Sequence, residues 1–242
     1  MIKRFLQRWP SLYQSTQRAY YGTLYRVEQH LLGTHLHELM WRYRSIDEFK
    51  PQSLAHPHRT HLVERLRSRS PFTSILEVGC SAGANLVLLA KAFPRVSLHG
   101  VDLNPRAIRE ARRLIQIGDL PGASVSVGHA DDLRTFPDQS VDIVLTDATL
   151  MYVGSDKICA TLDELVRVGR RAVLVNEWHL FDPLSAAETS RWYDAHWVHD
   201  YRRLLARLPR VRSVRIERPS IGMWGPGGWE EYGAFIEAEL VC

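Results

Sequence analysis

Five short runs rich in Val, Ile and Leu punctuate the chain between residues 74 and 177: SILEVG (74–79), VSLHGV (96–101), SVSVG (124–128), VDIVLT (141–146) and RAVLVNE (171–177). No other feature restricts the fold so strongly. A strand that is apolar on both faces has to be covered on both faces, which is the situation of a parallel sheet wrapped by crossover helices. The stretches between the runs have helical period and readable ends. Asn104 and Pro105 cap and open one helix, in which Ile108, Ala111, Leu114 and Ile115 share a face. Another runs from Ser155 with Ile158, Leu162, Leu165 and Val166 in register, and Gly169 stops it. Strand and helix in alternation predict a doubly wound α/β fold with a mostly parallel sheet and helices on both faces.

The last third changes character. The pattern predicts a long helix near residues 185–207, which includes RWYDAHWVHDYRRLL (191–205) with its Trp192, Trp197, Tyr201, His196 and His199. Next come VRSVRIER (211–218), a Gly-, Pro- and Trp-rich loop at 222–233, and AFIEAELVC (234–242). Two strands so closely linked pair antiparallel, so a C-terminal hairpin completes a seven-stranded sheet. Trp224 and Trp229 in that loop are read as an acceptor wall or a rigid turn on the hairpin.

At 242 residues the chain is long enough for one sizeable core and a small appendage. The division read from the pattern is an N-terminal basic and aromatic helical extension, residues 1–57, and a main domain, residues 58–242. Lys and Arg number 31 against 27 Asp and Glu, a net charge of +4. Residues 1–50 hold eight of the bases and four of the acids, so the excess lies there and residues 51–242 are neutral. A protein that tracks a nucleic-acid backbone needs a basic field over its working face, and no nucleic-acid partner is expected. In the extension Tyr20, Leu24, Val27 and Leu31 recur at helical spacing, with Arg18 and Arg26 among them. A lid or core packing is the favoured role, and a homodimer contact or an amphipathic patch on a membrane surface competes with it.

No run of 18 or more apolar residues occurs, and the opening MIKRFLQRWP lacks the apolar stretch of a secretory signal, so a cytoplasmic location is expected. The cysteines, Cys80, Cys159 and Cys242, have no disulfide or zinc spacing. HPHRTH (56–61) brings His56, His58 and His61 together without flanking Cys or acid ligands, and reads as a linker before a helix. No metal is expected.

The stretch EVGCSAGANL (77–86) carries the chemistry. A buried strand, a glycine turn and a helix opening near Gly83 leave free backbone amides at a helix N-terminus, where a polar ligand can approach. No Lys follows Gly83, which excludes a phosphate loop, and Ser81 stands where a dinucleotide fingerprint needs its central glycine. Asp102 in VDLNP (101–105) lies 19 positions after Gly83, the spacing at which an acid meets ribose hydroxyls.

Glu77, Gly79, Ser81 and Gly83 resemble the ExGxGxG loop of class I S-adenosylmethionine-dependent methyltransferases, with serine in place of the middle glycine, and GHADDLRTFPDQSVDIVLTDATLMYV (128–153) extends the likeness. The resemblance spans residues 58–242, with specific motifs between 75 and 153, and looks like the small-molecule branch. It implies S-adenosyl-L-methionine as cofactor. The residues it implies for cofactor binding are Glu77, Gly79, Cys80, Ser81, Gly83, Asp102, Leu103, Ala130, Asp131, Thr146 and Asp147. His129 stands where the family usually has Asp, so Asp131 is taken as the adenine contact.

The implied reaction is methyl transfer to oxygen or nitrogen of a small-molecule acceptor, a saccharide or a biosynthetic intermediate. Alignment of the nucleophile is worth about 7 to 11 kcal/mol, and a general base adds about 100- to 10,000-fold. Ligands of open α/β sheets bind at the carboxyl ends of strands, so the base is sought in His179, Glu177 and Tyr152, with His179 first for its near-neutral pKa. The rival readings are a nucleic-acid methyltransferase and a catalytically silent scaffold of the same fold.

Overall fold

The computed structural model of the chain describes Thr23, residues 36–44 and residues 56–241 except 184, 186, 195, 221, 225 and 226. The helical pattern from Tyr20 to Leu31 lies outside the described residues.

The elements follow one another as helix α1 (Leu36–Tyr43), α2 (Pro57–Ser68), strand β1 (Ser74–Val78), α3 (Ala84–Ala92), β2 (Ser97–Asp102), α4 (Pro105–Ile117), β3 (Ala123–Val127), β4 (Val141–Asp147), a single 3-10 turn at Leu150–Tyr152 and α5 (Ile158–Val168). Then come β5 (Gly169–Trp178), β6 (Ser190–Tyr193), β7 (His196–His199), α6 (Tyr201–Ala206), β8 (Val211–Glu217), α7 (Gly228–Tyr232) and β9 (Gly233–Leu240). Seven strands form one sheet in the order β3-β2-β1-β4-β5-β9-β8. The first five are parallel, and β9 runs antiparallel between β5 and β8. The architecture is the α/β fold with a C-terminal antiparallel pair that the apolar runs predict.

Alternation along the central strands sends side chains to two cores. Ile75, Ile143, Leu145 and Leu174 meet Leu62, Leu66, Leu86 and Ile108 of α2, α3 and α4. Leu76, Val144, Val173 and Val175 meet Leu162, Leu165, Tyr201 and Leu204 of α5 and α6. Asn104 caps α4 as expected, accepting from the amides of Arg106 and Ala107.

Two expectations are corrected. HPHRTH is not a linker: His56 caps α2, and Pro57 to His61 form its first turns. The long helix at 185–207 does not form. In its place β6 and β7 make a hairpin, and only residues 201–206 are helical. Arg-Trp-Tyr and His-Trp-Val-His are rich in aromatic and β-branched residues, which gain more from a cross-strand partner than from a helix face. Trp192 pairs with Trp197 across the hairpin, ring centroids 5.4 Å apart, and Asp194 turns the chain at φ +44°. Asp200 then caps α6 through the amide of Arg203.

Among the described residues no helix is long and apolar enough to cross a membrane.

Candidate active site

The glycine turn after β1 is held shut from both sides. Gly79 and Gly83 have φ near +80°, and Ser81 has φ +48°. The amides of Gly79 and Cys80 donate to the carbonyl of Val101, at 2.7 and 3.0 Å, so the turn is sewn to β2. Asp102 completes the seam: Oδ2 accepts the Ser81 amide and Oδ1 the Asn104 amide, each at 2.8 Å. Each oxygen keeps an unused lone pair. Burial pushes the Asp102 pKa up, and the two amides pull against it.

Glu77 lies beneath the turn, 2% exposed. Its Oε1 accepts Asn85 Nδ2 at 2.7 Å, while Oε2 has no partner among the described residues. Burial pushes its pKa up to about 8 against the pull of the Asn85 bond. The same Asn85 nitrogen donates to Oδ2 of Asp147 at 2.9 Å. Asp147, at the end of β4, also accepts Asn176 Nδ2 at 2.6 Å and faces His58 Nε2 at 3.1 Å and Arg59 at 3.7 Å. Burial would raise its pKa, but the bond and charge of His58, then Asn85 and Arg59, outweigh it and hold the carboxyl at about 2.

Beyond Asp102 a cavity of about 70 Å³ is lined by Leu103, His129, Ala130, Asp131 and Tyr152 and closed by Trp41 of α1. Asn104 Nδ2 donates to the carbonyls of Trp41 and Arg44, at 2.8 and 3.2 Å. The Trp41 and Tyr152 rings meet edge to face at 4.7 Å. Lys157 bridges Glu38 of α1 and Asp131, at 2.7 and 3.1 Å. Glu38, His129 and Asp131 are close enough to share an ion, but the Lys157 ammonium already bridges the two carboxylates.

The turn, Glu77, Asp102 and Asp147 are thus brought together at the carboxyl ends of β1, β2 and β4, next to the cavity that Leu103, Ala130 and Asp131 line. Cys80 and Thr146 are not. A Cβ on Gly100 would lie 2.7 Å from Cys80 Sγ, so the thiol packs against β2, and Thr146 is fully buried in β4.

Of the side chains read as catalytic, Tyr152 borders the crevice and its hydroxyl lies 3.3 Å from His196 Nε2. Glu177 is fully buried and accepts the amides of Thr149, Leu150 and Met151, at 2.7, 2.9 and 3.2 Å. Burial pushes its pKa to about 8 against those three bonds. His179 is 3% exposed between Phe181 and Tyr201, and burial pushes its pKa down to about 4.

Sequence reasoning missed an arc of aromatic rings across the same strand ends. From Trp41 and Tyr152 it continues through His196 to Trp178, at 5.0 and 4.7 Å, then through Trp229 to Trp224, at 6.2 and 4.1 Å. It ends on His58 and His56, at 4.3 and 4.6 Å from Trp224. The signal was present in the Trp-rich loop and in HPHRTH, but only the fold brings His56, His58, Trp178, His196, Trp224 and Trp229 together.

Residues 75–171 match the family model described as a methyltransferase domain. This central segment is therefore similar to methyltransferase domains. The chain is 28% identical over 188 residues to the phthiotriol/phenolphthiotriol dimycocerosates methyltransferase of Mycobacterium leprae, covering 70% of this chain and 66% of that protein. It is 24% identical over 148 residues to the protein-L-isoaspartate O-methyltransferase of Pyrococcus horikoshii, 59% of this chain and 64% of that one. The chain therefore spans just under two thirds of the length of these relatives. Magnesium protoporphyrin IX methyltransferase from Synechocystis, solved with bound SAM, shares the fold with a TM-score of 0.58 at 16% identity, covering 91% of this chain and 97% of that one. The matched segment thus includes the glycine turn, Asp102 and Asp147, whereas α1, α2 and the β6–β7 hairpin lie outside residues 75–171.

Proposed function

We propose that the protein transfers a methyl group from S-adenosyl-L-methionine to oxygen or nitrogen of a small-molecule acceptor. The observation that carries this reading is the set of carboxylates around the glycine turn: Glu77 with a bare buried oxygen, and Asp102 with a free lone pair on each oxygen. Asp131 and Asp147 stand to either side. Such a lining of hydrogen-bond acceptors favours a ligand that brings hydroxyl and ammonium donors. S-adenosylmethionine has a ribose diol, an ammonium and a sulfonium, and no phosphate. When bound, it supplies a methyl group made electrophilic by that sulfonium.

In this reading Asp102 takes the ribose hydroxyls, Leu103, Ala130 and Asp131 border the adenine, and Glu77 and the turn flank the amino-acid end. Cys80 and Thr146 act by packing. Glu177 fixes the loop that carries Tyr152, because its carboxylate is spent on three amides. His179 stabilises the core beside Tyr201. Tyr152 is left to shape the acceptor side. The aromatic arc supports a flat or apolar small acceptor, and the acidic crevice disfavours a nucleic-acid backbone. The Mycobacterium leprae and Synechocystis proteins are named for small acceptors and the Pyrococcus horikoshii protein for a protein acceptor, and the arc supports the small-acceptor reading.

Titration calorimetry with S-adenosylhomocysteine tests the reading. One site per chain is expected, and heat with a nicotinamide dinucleotide in place of the nucleoside would overturn it, as would a catalytically silent chain that binds neither.

A further inference from the structure

Three atoms groups lie in sequence at the end of the arc. Oδ2 of Asp147 is 3.1 Å from Nε2 of His58, and Nδ1 of His58 is 2.6 Å from Nδ1 of His56. The side chains of Asp147 and His58 are 5% and 6% exposed, while His56 is only partly covered. Among the described residues no partner meets Nε2 of His56, which stacks beside Trp224 at the rim of the crevice.

We propose that His56 is the general base of the methyl transfer and that His58 and Asp147 form the relay that receives its charge. The proposal deepens the methyltransferase reading and rests on it. The proton count follows from the contacts. An ionised carboxylate only accepts, so His58 presents Nε2–H to Asp147, and its Nδ1 carries a lone pair in the neutral protein. A proton on His56 Nδ1 fills the 2.6 Å contact and leaves the lone pair of His56 on Nε2; in this tautomer Nδ1 does not accept the His58 amide, 3.4 Å away.

In the reaction an acceptor hydroxyl gives its proton to that Nε2 while an oxygen lone pair forms the bond to the methyl carbon. The carbon–sulfur bond breaks, and its electron pair stays with sulfur, which becomes a neutral thioether. As His56 gains the proton on Nε2 it passes the Nδ1 proton to His58. The positive charge thereby comes to rest on His58, in contact with Asp147 rather than at the rim. With its Nδ1 proton passed on, His56 is neutral, and its Nδ1 becomes an acceptor for the backbone amide of His58, 3.4 Å away, as the helix cap.

The charged groups that face His56 are His58 and Arg59 of α2 and Asp147 of β4. Burial, then His58 and Arg59, lower the His56 pKa, and Asp147 opposes them. The indole N–H groups of Trp178 and Trp224, both on the arc, have no partner among the described residues. They suit an acceptor that carries further oxygens on a flat apolar body.

Long-range ¹H–¹⁵N spectra of the full-length protein labelled at histidine, recorded without cofactor between pH 8 and pH 5, test the relay. At pH 8 His56 is expected as the Nδ1–H tautomer and His58 as Nε2–H, and on acidification the two are expected to change together. His56 as Nε2–H at pH 8, or two independent titrations, would overturn the relay. 2-Naphthol, added to protein saturated with S-adenosylhomocysteine, is the probe for the acceptor side. It is expected to shift His56 Nε2 and to lose about tenfold or more in affinity in His56→Ala, and no shift up to the solubility of the probe would overturn the assignment of the crevice. S-adenosylhomocysteine affinity in His56→Ala is expected within about twofold of the parent. If the parent itself fails to bind that nucleoside, the methyltransferase reading fails and the tautomer result stands by itself.

Discussion

A Cβ built on Gly79 would lie 2.0 Å from Oγ1 of Thr149, so the glycine turn after β1 and the loop after β4 touch where a side chain would stand. Thr149 is itself held there, since its amide donates to Glu177. Gly79→Ala is therefore expected to cost about 2 to 4 kcal/mol, from overpacking together with a non-glycine residue at φ +81°. Adding Thr149→Gly removes the clash and leaves the backbone strain, so the double variant should recover part of the loss. Urea unfolding of the two variants against the parent reads both terms, and full recovery in the double variant would show that the backbone conformation is unstrained.

Asp102 serves two partners at once, the turn and the ligand. Asp102→Ala removes the acceptor for the Ser81 and Asn104 amides as well as the ribose contact, whereas Asp102→Asn keeps one oxygen and no charge. Loss of charge-assisted hydrogen bonds worth about 1.5 to 3 kcal/mol each predicts roughly 10- to 100-fold weaker S-adenosylhomocysteine binding in Asp102→Asn, and more in Asp102→Ala. Calorimetry of the three proteins should give that order; equal affinities would remove Asp102 from the cofactor site.

The sequence-based reading succeeded where one local signal sufficed and failed where partners were distant. Buried strands such as VDIVLT announce themselves by composition, because both faces are covered, and the Asn104-Pro105 cap is local too. Glu77 and Asp102 were legible from their spacing to the glycines. The 190–199 hairpin was misread because Trp192 and Trp197 fit a helical period as well as a strand period, and cross-strand contact decided between them. His58 could not be connected to Asp147, 89 residues away, without the parallel register that sets β4 beside β1 and the cap that starts α2 at Pro57. The base read as His179 followed from its place after β5 and its ordinary pKa, and neither reports the burial that packs it against Phe181 and Tyr201.

Glu77 and Glu177 both have pKa values pushed to about 8 by burial, from an ordinary value of 4.5. A carboxyl whose folded pKa is raised favours the folded state below the unfolded pKa, and that contribution is lost as pH rises through 8. Asp147, held at about 2, acts in the opposite sense, and its contribution is lost only as pH falls below 3.8. Stability is therefore expected to decline from pH 5 to pH 8, and Glu177→Gln, which cannot ionise, should flatten part of the decline. Urea midpoints at pH 5 and pH 8 measure it; an identical decline in the variant would mean that Glu177 does not titrate in this range.

Bringing positive charge to Glu77 has a related consequence. A sulfonium and ammonium near its bare Oε2 pull the raised pKa down, so binding S-adenosylmethionine at pH 7 should release a fraction of a proton. Calorimetry in two buffers of different ionisation enthalpy reads that number directly, and Glu77→Gln should reduce it to near zero. Equal release in parent and variant would assign the proton to another group.

Lys157 makes the contact by which α1 is charged to the rest of the crevice. It bridges Glu38 and Asp131, and all three are partly buried, with 22 to 26% of each side chain exposed. Lys157→Met keeps the length of the stem and removes the charge, which leaves two carboxylates facing each other across the closed end of the cavity. Repulsion between them should loosen α1 from the Trp41–Tyr152 contact, while the sheet, which Lys157 does not touch, keeps its stability. Trypsin cuts after Arg42 and Arg44 report the position of α1 because Asn104 holds the Trp41 and Arg44 carbonyls in the docked state. The variant is expected to be cut there about tenfold faster than the parent, with an unchanged urea midpoint. Saturating S-adenosylhomocysteine should slow the cut in both proteins if the nucleoside packs beneath Trp41, and protection that is absent from both would place the ligand away from α1.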